Sequence, residues 1–349
     1  SIDKSNTDVV EVFADNYKWP HGNKIVSKHE ENLGLRAHML SLGKWLDQFD
    51  AIVVLEDDIV VSPCFYYYAR QTVEMYHDCP EIAGISLYSF FVNYQTNSLF
   101  SSIRDEYDIY FMKCAMSWGE VWMKDSWKRF YEWYLQHQEF PVLSHLPKSI
   151  CSWSQKSWLK YHIRYCIEEN KYFVHPLVSL TTNYGDVGVH FSALDGTINQ
   201  VPMQMGNKKH YNLPVFGTKA IYYDGFFENE GLYKVLDLTE NELCIDLQGG
   251  NHNSFKKRYW LTTEKADYKV ISSYGLNFRP IEENIIMGNK GGQIFLYDTE
   301  EYNKNKIVGT RKLRLYSFHL SNIVIFMLQY GLLNVWRDFR EYLSLKLQK

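Results

Sequence analysis

The sequence lacks several features that mark specialised classes of protein. It has six cysteines, but no two form a CxxC pair, and their spacing is not that of a small disulfide-bonded domain. No Asn-x-Ser/Thr glycosylation site occurs. Both absences favour a thiol-reducing compartment over a secretory one, so we expect a cytoplasmic protein.

Long apolar runs and a strong positive charge are also missing. No run approaches the roughly 20 residues that cross a bilayer as a helix. The formal net charge of −4 provides no basic field that would attract nucleic acid. There is no internal repeat and no low-complexity tract. We therefore expect a globular protein without a nucleic-acid partner.

Aromatic side chains are abundant by contrast. Of the 349 residues, 46% are apolar and 16% aromatic, including 27 Tyr and ten Trp. This composition supports a sizeable core. Aromatic rings serve cores first, but they also supply the flat faces on which sugars and nucleobases stack.

The order of apolar patterns predicts the fold class. Apolar residues recur at helical spacing over 36–49, a continuous apolar run follows at 51–55, and a helix and a further strand are expected over 65–78 and 82–90. This alternation predicts an α/β domain over 1–214, with a mixed, mostly parallel sheet flanked by helices. Short strands and turns predict a β-rich accessory region over 215–310.

The two ends of the chain carry separate expectations. The first residues, SID, have the pattern of a strand end, so we expect an N-terminal strand to be missing. Residues 311–349 have the pattern of an amphipathic helix with basic residues on both sides of a short apolar stretch. They suit peripheral contact with the inner face of the plasma membrane, or else a helix docked on its own domain.

Three acidic residues directly follow the apolar run. Glu56, Asp57 and Asp58 stand in the segment VVLEDDIVVSP, at what would be the carboxyl end of a strand. Ligands of open α/β sheets bind outside such strand ends. Mg²⁺ and Mn²⁺ take one or two carboxylates together with substrate phosphates. A bound cation would offset the repulsion among the three acids, whereas the alternative is a solvated acidic turn.

The segment from residue 31 to residue 68, with its LEDDxxxSPxF motif, resembles the nucleotide-sugar glycosyltransferases of the GT-A fold. It is similar to the bacterial family-2 type, with the Glu-Asp-Asp motif of N-acetylglucosaminyltransferase I. The segments MSWGEVW and TTNYGDVGVH resemble later loops of that fold. The resemblance implies a Rossmann-like GT-A domain that uses Mn²⁺ or Mg²⁺. It also implies a nucleoside-diphosphate-sugar donor such as a UDP-sugar, and a glycan or lipid-linked glycan acceptor in polysaccharide biosynthesis.

The resemblance also assigns roles to individual residues. Asp58 would ligate the metal and His190 would hold the metal or the diphosphate. The remaining positions would contact the donor, with Asp3 on the base, Arg36 on the nucleotide or diphosphate, Glu56 and Asp57 around the ribose, and Trp118, Gly119 and Trp153 along the pocket.

The general base is where the chain departs from the family. An inverting enzyme needs a base to deprotonate the acceptor hydroxyl. The family places an acid just after a Trp, but Ser154 and Gln155 follow Trp153 here. Asp186 or Glu120 would serve if the alignment is shifted. Otherwise the acceptor is activated by other means, or the chain is a non-catalytic nucleotide- or carbohydrate-binding relative. A metal-dependent phosphoester hydrolase would need more clustered His and Asp residues than the sequence contains.

Overall fold

The computed structural model describes residues 4–184, 200–251 and 257–304, with five separate positions at 328, 331, 336, 337 and 340. The predicted strand end at residues 1–3 lies outside the described residues, as does most of the predicted helix at 311–349. Among the described residues, no helix is long and apolar enough to cross a membrane.

Helices and strands alternate through the first half of the chain, and strands dominate after it. The helices are α1 (Lys4–Asn16), α2 (Gly34–Ser41), the 3₁₀ helix Leu42–Asp47, α3 (Phe65–Tyr76), α4 (Lys124–Gln136), α5 (Lys148–Ser152), α6 (Leu159–Glu168), α7 (Gly231–Val235) and α8 (Glu283–Ile286). The strands are β1 (Ala51–Val54), β2 (Ile59–Val61), β3 (Ile82–Ser86), β4 (Val92–Asn93), β5 (Ser98–Leu99), β6 (Ile109–Met112), β7 (Glu120–Met123), β8 (Tyr172–Pro176), β9 (Thr181–Asn183), β10 (Tyr222–Tyr223), β11 (Leu243–Asp246), β12 (Tyr259–Thr262), β13 (Tyr268–Tyr274) and β14 (Ile294–Tyr302).

Six strands form the central sheet, in the order β1-β7-β3-β8-β6-β10. The pairs β3–β8 and β6–β10 are parallel, while β1–β7, β3–β7 and β6–β8 are antiparallel. The predicted mixed α/β sheet flanked by helices is therefore confirmed. It contains more antiparallel pairing than the sequence predicts, because the alternation of strands and helices stops after β3. A loop without a helix joins β6 to β7, whereas parallel neighbours usually need a helical crossover.

Each face of the central sheet carries its own core. Along β7, Trp122 packs into the cluster that contains residues of α4 and α6, whereas Val121 packs into the cluster that contains residues of α3. This opposition follows from the alternation of side chains along a strand. Helix α4 buries Trp127, Phe130 and Tyr134, which are spaced three and four residues apart and so lie on one face.

A second sheet, in the order β11-β12-β14-β13, lies within the predicted accessory region. Its core is formed by aliphatic side chains such as Leu261 and Leu296. The boundary predicted at residue 214 does not end the central sheet, because β10 still belongs to it. The N–H groups of Phe111 and Lys113 donate to the carbonyls of Ile221 and Tyr223, at 2.9 and 3.1 Å.

Candidate functional site

The three acids form a turn between two strands of different sheets. β1 ends at Val54 in the central sheet, and β2 begins at Ile59 and pairs antiparallel with β9. Within the turn, the Ile59 N–H donates to the Glu56 carbonyl at 3.2 Å. The predicted position of the acids, at the carboxyl end of a strand of the central sheet, agrees with this geometry.

Asp58 is held in place from β9. The Asn183 amide Nδ2 donates to Asp58 Oδ2 at 2.7 Å, and the Tyr184 N–H donates to the Asp58 carbonyl at 2.8 Å. Asn183 is 3% exposed and carries no charge. No ion pair among the described residues involves any of the three acids, so a neutral amide orients Asp58 without neutralising it.

The Trp118 loop packs beside this turn. Thr181 Oγ1 donates to the Trp118 carbonyl at 2.6 Å, and Thr181 belongs to β9, which also holds Asp58. Gly119 has a φ of +93°, a region that favours glycine. The indole of Trp118 meets the ring of Tyr88 edge-on, with 5.0 Å between centroids. The structure thus brings two predicted segments, the acidic motif and the glycine-containing loop, to one place.

Glu56 links the acids to the Trp118 loop. Burial raises the pKa of its carboxyl, a hydrogen bond with Ser117 opposes that rise, and the neighbouring charges of Asp58 and Asp57 add to it. These contacts put Glu56 between the loop and Asp58. Binding a cation at this turn, or gaining or losing a proton, would therefore change the net charge of the cluster formed by Glu56, Asp57 and Asp58.

Glu120 lies behind Glu56, inside the protein. It is 1% exposed, and Trp122 Nε1 donates to its Oε2 at 2.5 Å. Burial, with a smaller contribution from the charge of Glu56, raises its pKa to about 8 although the Trp122 bond opposes the rise. His162 Nδ1 lies 3.9 Å from the same oxygen, and burial lowers its pKa to about 3. At neutral pH both groups are therefore mostly uncharged, and neither is open to an acceptor from solvent.

The segment after Trp153 makes its own local contacts. The Trp153 ring lies 5.5 Å from Tyr94 between centroids. Ser154 Oγ accepts from the Lys156 N–H at 3.1 Å, and Gln155 Oε1 accepts from Lys160 Nζ at 3.1 Å. Neither residue is a carboxylate, so the expected position of the general base remains without one.

Arg36 has a neighbour that the sequence does not predict. Its Nη1 donates to the Tyr161 hydroxyl at 2.9 Å, and its guanidinium lies 5.4 Å from the centroid of the Tyr161 ring. The two residues line a cleft together with Gln155. Three other predicted site residues, Asp3, Asp186 and His190, lie outside the described residues.

A divalent cation can be tested against the residues that are described. They contain no group of three or more His, Cys, Asp or Glu side chains arranged to hold a metal ion. Mg²⁺ and Mn²⁺ sites that include a nucleotide use only one or two carboxylates, since phosphates and water supply the other ligands. Asp58, oriented by a neutral amide, and Glu56 in the same turn fit that smaller requirement.

Sequence reasoning missed Asn183 and Thr181, although both stand in the quoted loop TTNYG. Attention to the amide two residues before the glycine could have identified Asn183. No protein-family model matches the chain, and no curated protein is significantly similar to it.

Proposed function

We propose that the chain is a GT-A-like glycosyltransferase that moves a sugar, with inversion, from a nucleoside-diphosphate donor to a glycan or lipid-linked glycan acceptor. The observation that carries the proposal is the meeting of Glu56, Asp58 and the Trp118 loop at the end of β1. A charged turn beside an indole face suits a ligand with a phosphate–metal part and a sugar part.

The described residues have separate tasks in this proposal. Asp58, oriented by Asn183, would ligate Mn²⁺ or Mg²⁺, and Trp118 would form one wall of the sugar pocket. When bound, the cation would stabilise the negative charge that develops on the diphosphate leaving group.

We place the activity in the cytoplasm, with residues 311–349 in peripheral contact with the membrane, so deletion of 311–349 should release the protein from anionic liposomes. Unchanged liposome binding after that deletion would contradict the membrane contact.

The substitution Asp58→Asn tests the metal site. It keeps the size of the side chain but removes the charge, so we expect Mn²⁺-dependent UDP affinity to fall by about 100-fold or more. Isothermal titration with UDP, with and without Mn²⁺, measures this. The matched control is Asp78→Asn, at an exposed position beyond α3, which should bind as the unmodified protein does. Undiminished Mn²⁺-dependent binding by Asp58→Asn would refute the role of Asp58.

A second function is favoured by Ser154 and Gln155. Since neither can act as a base at neutral pH, a non-catalytic nucleotide- or carbohydrate-binding protein would use the same pocket without turnover. A panel of nucleoside-diphosphate sugars, assayed for donor hydrolysis and for transfer, separates the two. Binding of UDP and Mn²⁺ without release of sugar from any donor would favour the binding protein.

A further inference from the structure

A cleft of about 410 Å³ opens beside the segment that follows Trp153. Its walls come from three parts of the chain, which are Arg36 in α2, residues 138–141 after α4, and Gln155 with Tyr161. The family resemblance assigns Arg36 to the nucleotide or diphosphate and the position of Gln155 to the base that acts on the acceptor. None of the residues that line the cleft belongs to the acidic turn or to the Trp118 loop, so the cleft is a separate feature of the fold.

A buried cation lies behind one wall of this cleft. Lys160 is 0% exposed, and its Nζ donates to Gln155 Oε1 at 3.1 Å and to the Trp153 carbonyl at 3.3 Å. It also lies 4.4 Å from the centroid of the Phe140 ring. These partners are all neutral. Cation–π contact recovers part of the cost of burying a charge, but it does not neutralise the charge.

The two cations of the cleft repel each other. Burial lowers the pKa of Lys160, and the charge of Arg36 lowers it further. Neither residue takes part in an ion pair among the described residues. Of the residues that line the cleft, only Glu139 is acidic, and it is exposed, where water screens its charge. The cleft therefore has an excess of positive charge.

We propose that this cleft binds a compact oxyanion, either a phosphate or a sugar carboxylate, carried by the acceptor. Arg36 gives one N–H to Tyr161, and its planar guanidinium has further donors in the geometry that suits an oxyanion. Lys160 adds positive potential from behind Gln155. An anion would offset the repulsion between the two cations.

We assign the oxyanion to the acceptor, and not to the donor, because of the position of the cleft. Gln155 lines it, and the resemblance places the base that deprotonates the acceptor hydroxyl at Ser154 or Gln155. This assignment rests on the proposed function, whereas the anion site itself depends only on the charges and contacts of the cleft. The two can therefore fail separately.

Isothermal titration without metal tests the site, with inorganic phosphate, D-glucuronate and neutral D-glucose as probes. We expect one or both anions to bind and glucose not to bind, and the anion that binds identifies the source of the charge. Arg36→Gln should weaken that binding by about tenfold or more, and Arg36→Lys by less. Lys128→Gln, which removes a charge from an exposed position of α4, is the matched control and should not change the affinity.

Lys160→Met separates a ligand-binding role from a structural one. Replacing an unpaired buried charge by an apolar side chain of similar length should not lower the urea midpoint of unfolding. It should nevertheless weaken anion binding. A lowered midpoint with unchanged anion affinity would mean that Lys160 only supports the fold, and would contradict its part in the proposal.

The variant Asp58→Asn distinguishes the cleft from the donor site. Anion binding that survives Asp58→Asn but not Arg36→Gln supports the cleft, even if UDP and Mn²⁺ fail to bind and the proposed function falls. Absence of binding by both anions, or affinity that Arg36→Gln leaves unchanged, would overturn the proposal. Loss of anion binding in Asp58→Asn would overturn it too, because the anion would then occupy the donor site.

Discussion

At the scale of a single residue, the chemistry of Glu120 follows from where its carboxyl group lies. Burial raises its pKa to about 8, so at pH 7 the folded chain mostly keeps a proton that the unfolded chain has lost. For an acid whose pKa is raised on folding, stability is fully present below the pKa of the unfolded chain and falls as pH rises towards the folded value. Glu120 therefore lowers the free energy of unfolding at neutral pH relative to pH 4.

The substitution Glu120→Gln removes that penalty. A glutamine oxygen can still accept from Trp122 Nε1, so we expect the free energy of unfolding at pH 7 to rise by about 1–3 kcal/mol, with most of the gain lost at pH 4.5. Urea unfolding at the two pH values measures the difference. Glu132→Gln, at an exposed position of α4, should give the same small change at both pH values. A loss of stability at pH 7 would indicate an ionised Glu120 and contradict its burial as a neutral acid.

At the scale of an element, the Trp118 loop depends on the absence of a side chain at Gly119. A Cβ there would lie 2.8 Å from Thr181 Cγ2 and 3.2 Å from Leu87 Cβ, in addition to the positive φ of +93°. We expect Gly119→Ala to lower the free energy of unfolding by about 2–4 kcal/mol, from backbone strain and crowding together. Chemical denaturation measures this loss.

Two further variants separate the causes of that loss. Gly217 has a φ of +83° and nothing within 4 Å of a Cβ, so Gly217→Ala should show the backbone cost alone. Thr181→Ser removes the crowded methyl group but keeps the hydroxyl that donates to Trp118. The double variant Gly119→Ala/Thr181→Ser should therefore recover part of the stability. Equal losses at Gly119 and Gly217 would argue that crowding against β9 is absent.

Elements set by local pattern could be predicted from the sequence, and contacts between distant segments could not. The strand before the acids follows from a continuous apolar run, and α3 from helical spacing. The bond that Asn183 donates to Asp58 and the bond that Arg36 donates to Tyr161 each join residues 125 positions apart. No local pattern determines such pairings, since they depend on which strands and helices become neighbours. For the same reason the antiparallel insertion of β7 between β1 and β3 was not predicted.

At the scale of the whole molecule, acidic groups accumulate where the central sheet meets the second sheet. Asp224 follows β10, Asp246 ends β11, and Glu228 and Glu282 lie near them. Burial, reinforced by the charges of neighbouring carboxylates within and beside this group, raises the pKa of Asp224, Asp246 and Glu282 to about 7 and that of Glu228 well above its usual value. Lys113 opposes the rise at Asp224. Near neutral pH this junction therefore still holds protons that the unfolded chain has released.

The raised pKa values of these four acids predict how the free energy of unfolding depends on pH. Each carboxyl that stays protonated in the folded state lowers stability by about 1.4 kcal/mol per pH unit above its unfolded pKa, until pH passes its folded pKa. His162 and His175 act in the opposite direction, because burial lowers their pKa values to about 3 and about 4. Their stabilising effect is complete above the unfolded pKa of about 6.5. Between pH 5 and 6.5 the two effects partly cancel.

Above pH 6.5 only the carboxyl effect remains, so we expect the free energy of unfolding to fall by several kcal/mol between pH 6.5 and 8. Urea unfolding across that range measures the fall. Asp246→Asn, which is neutral at every pH, should make the slope shallower, whereas Asp78→Asn at its exposed position should leave it unchanged. A free energy that rises or stays constant over this interval would mean that these four acids and Glu120 are ionised in the folded protein.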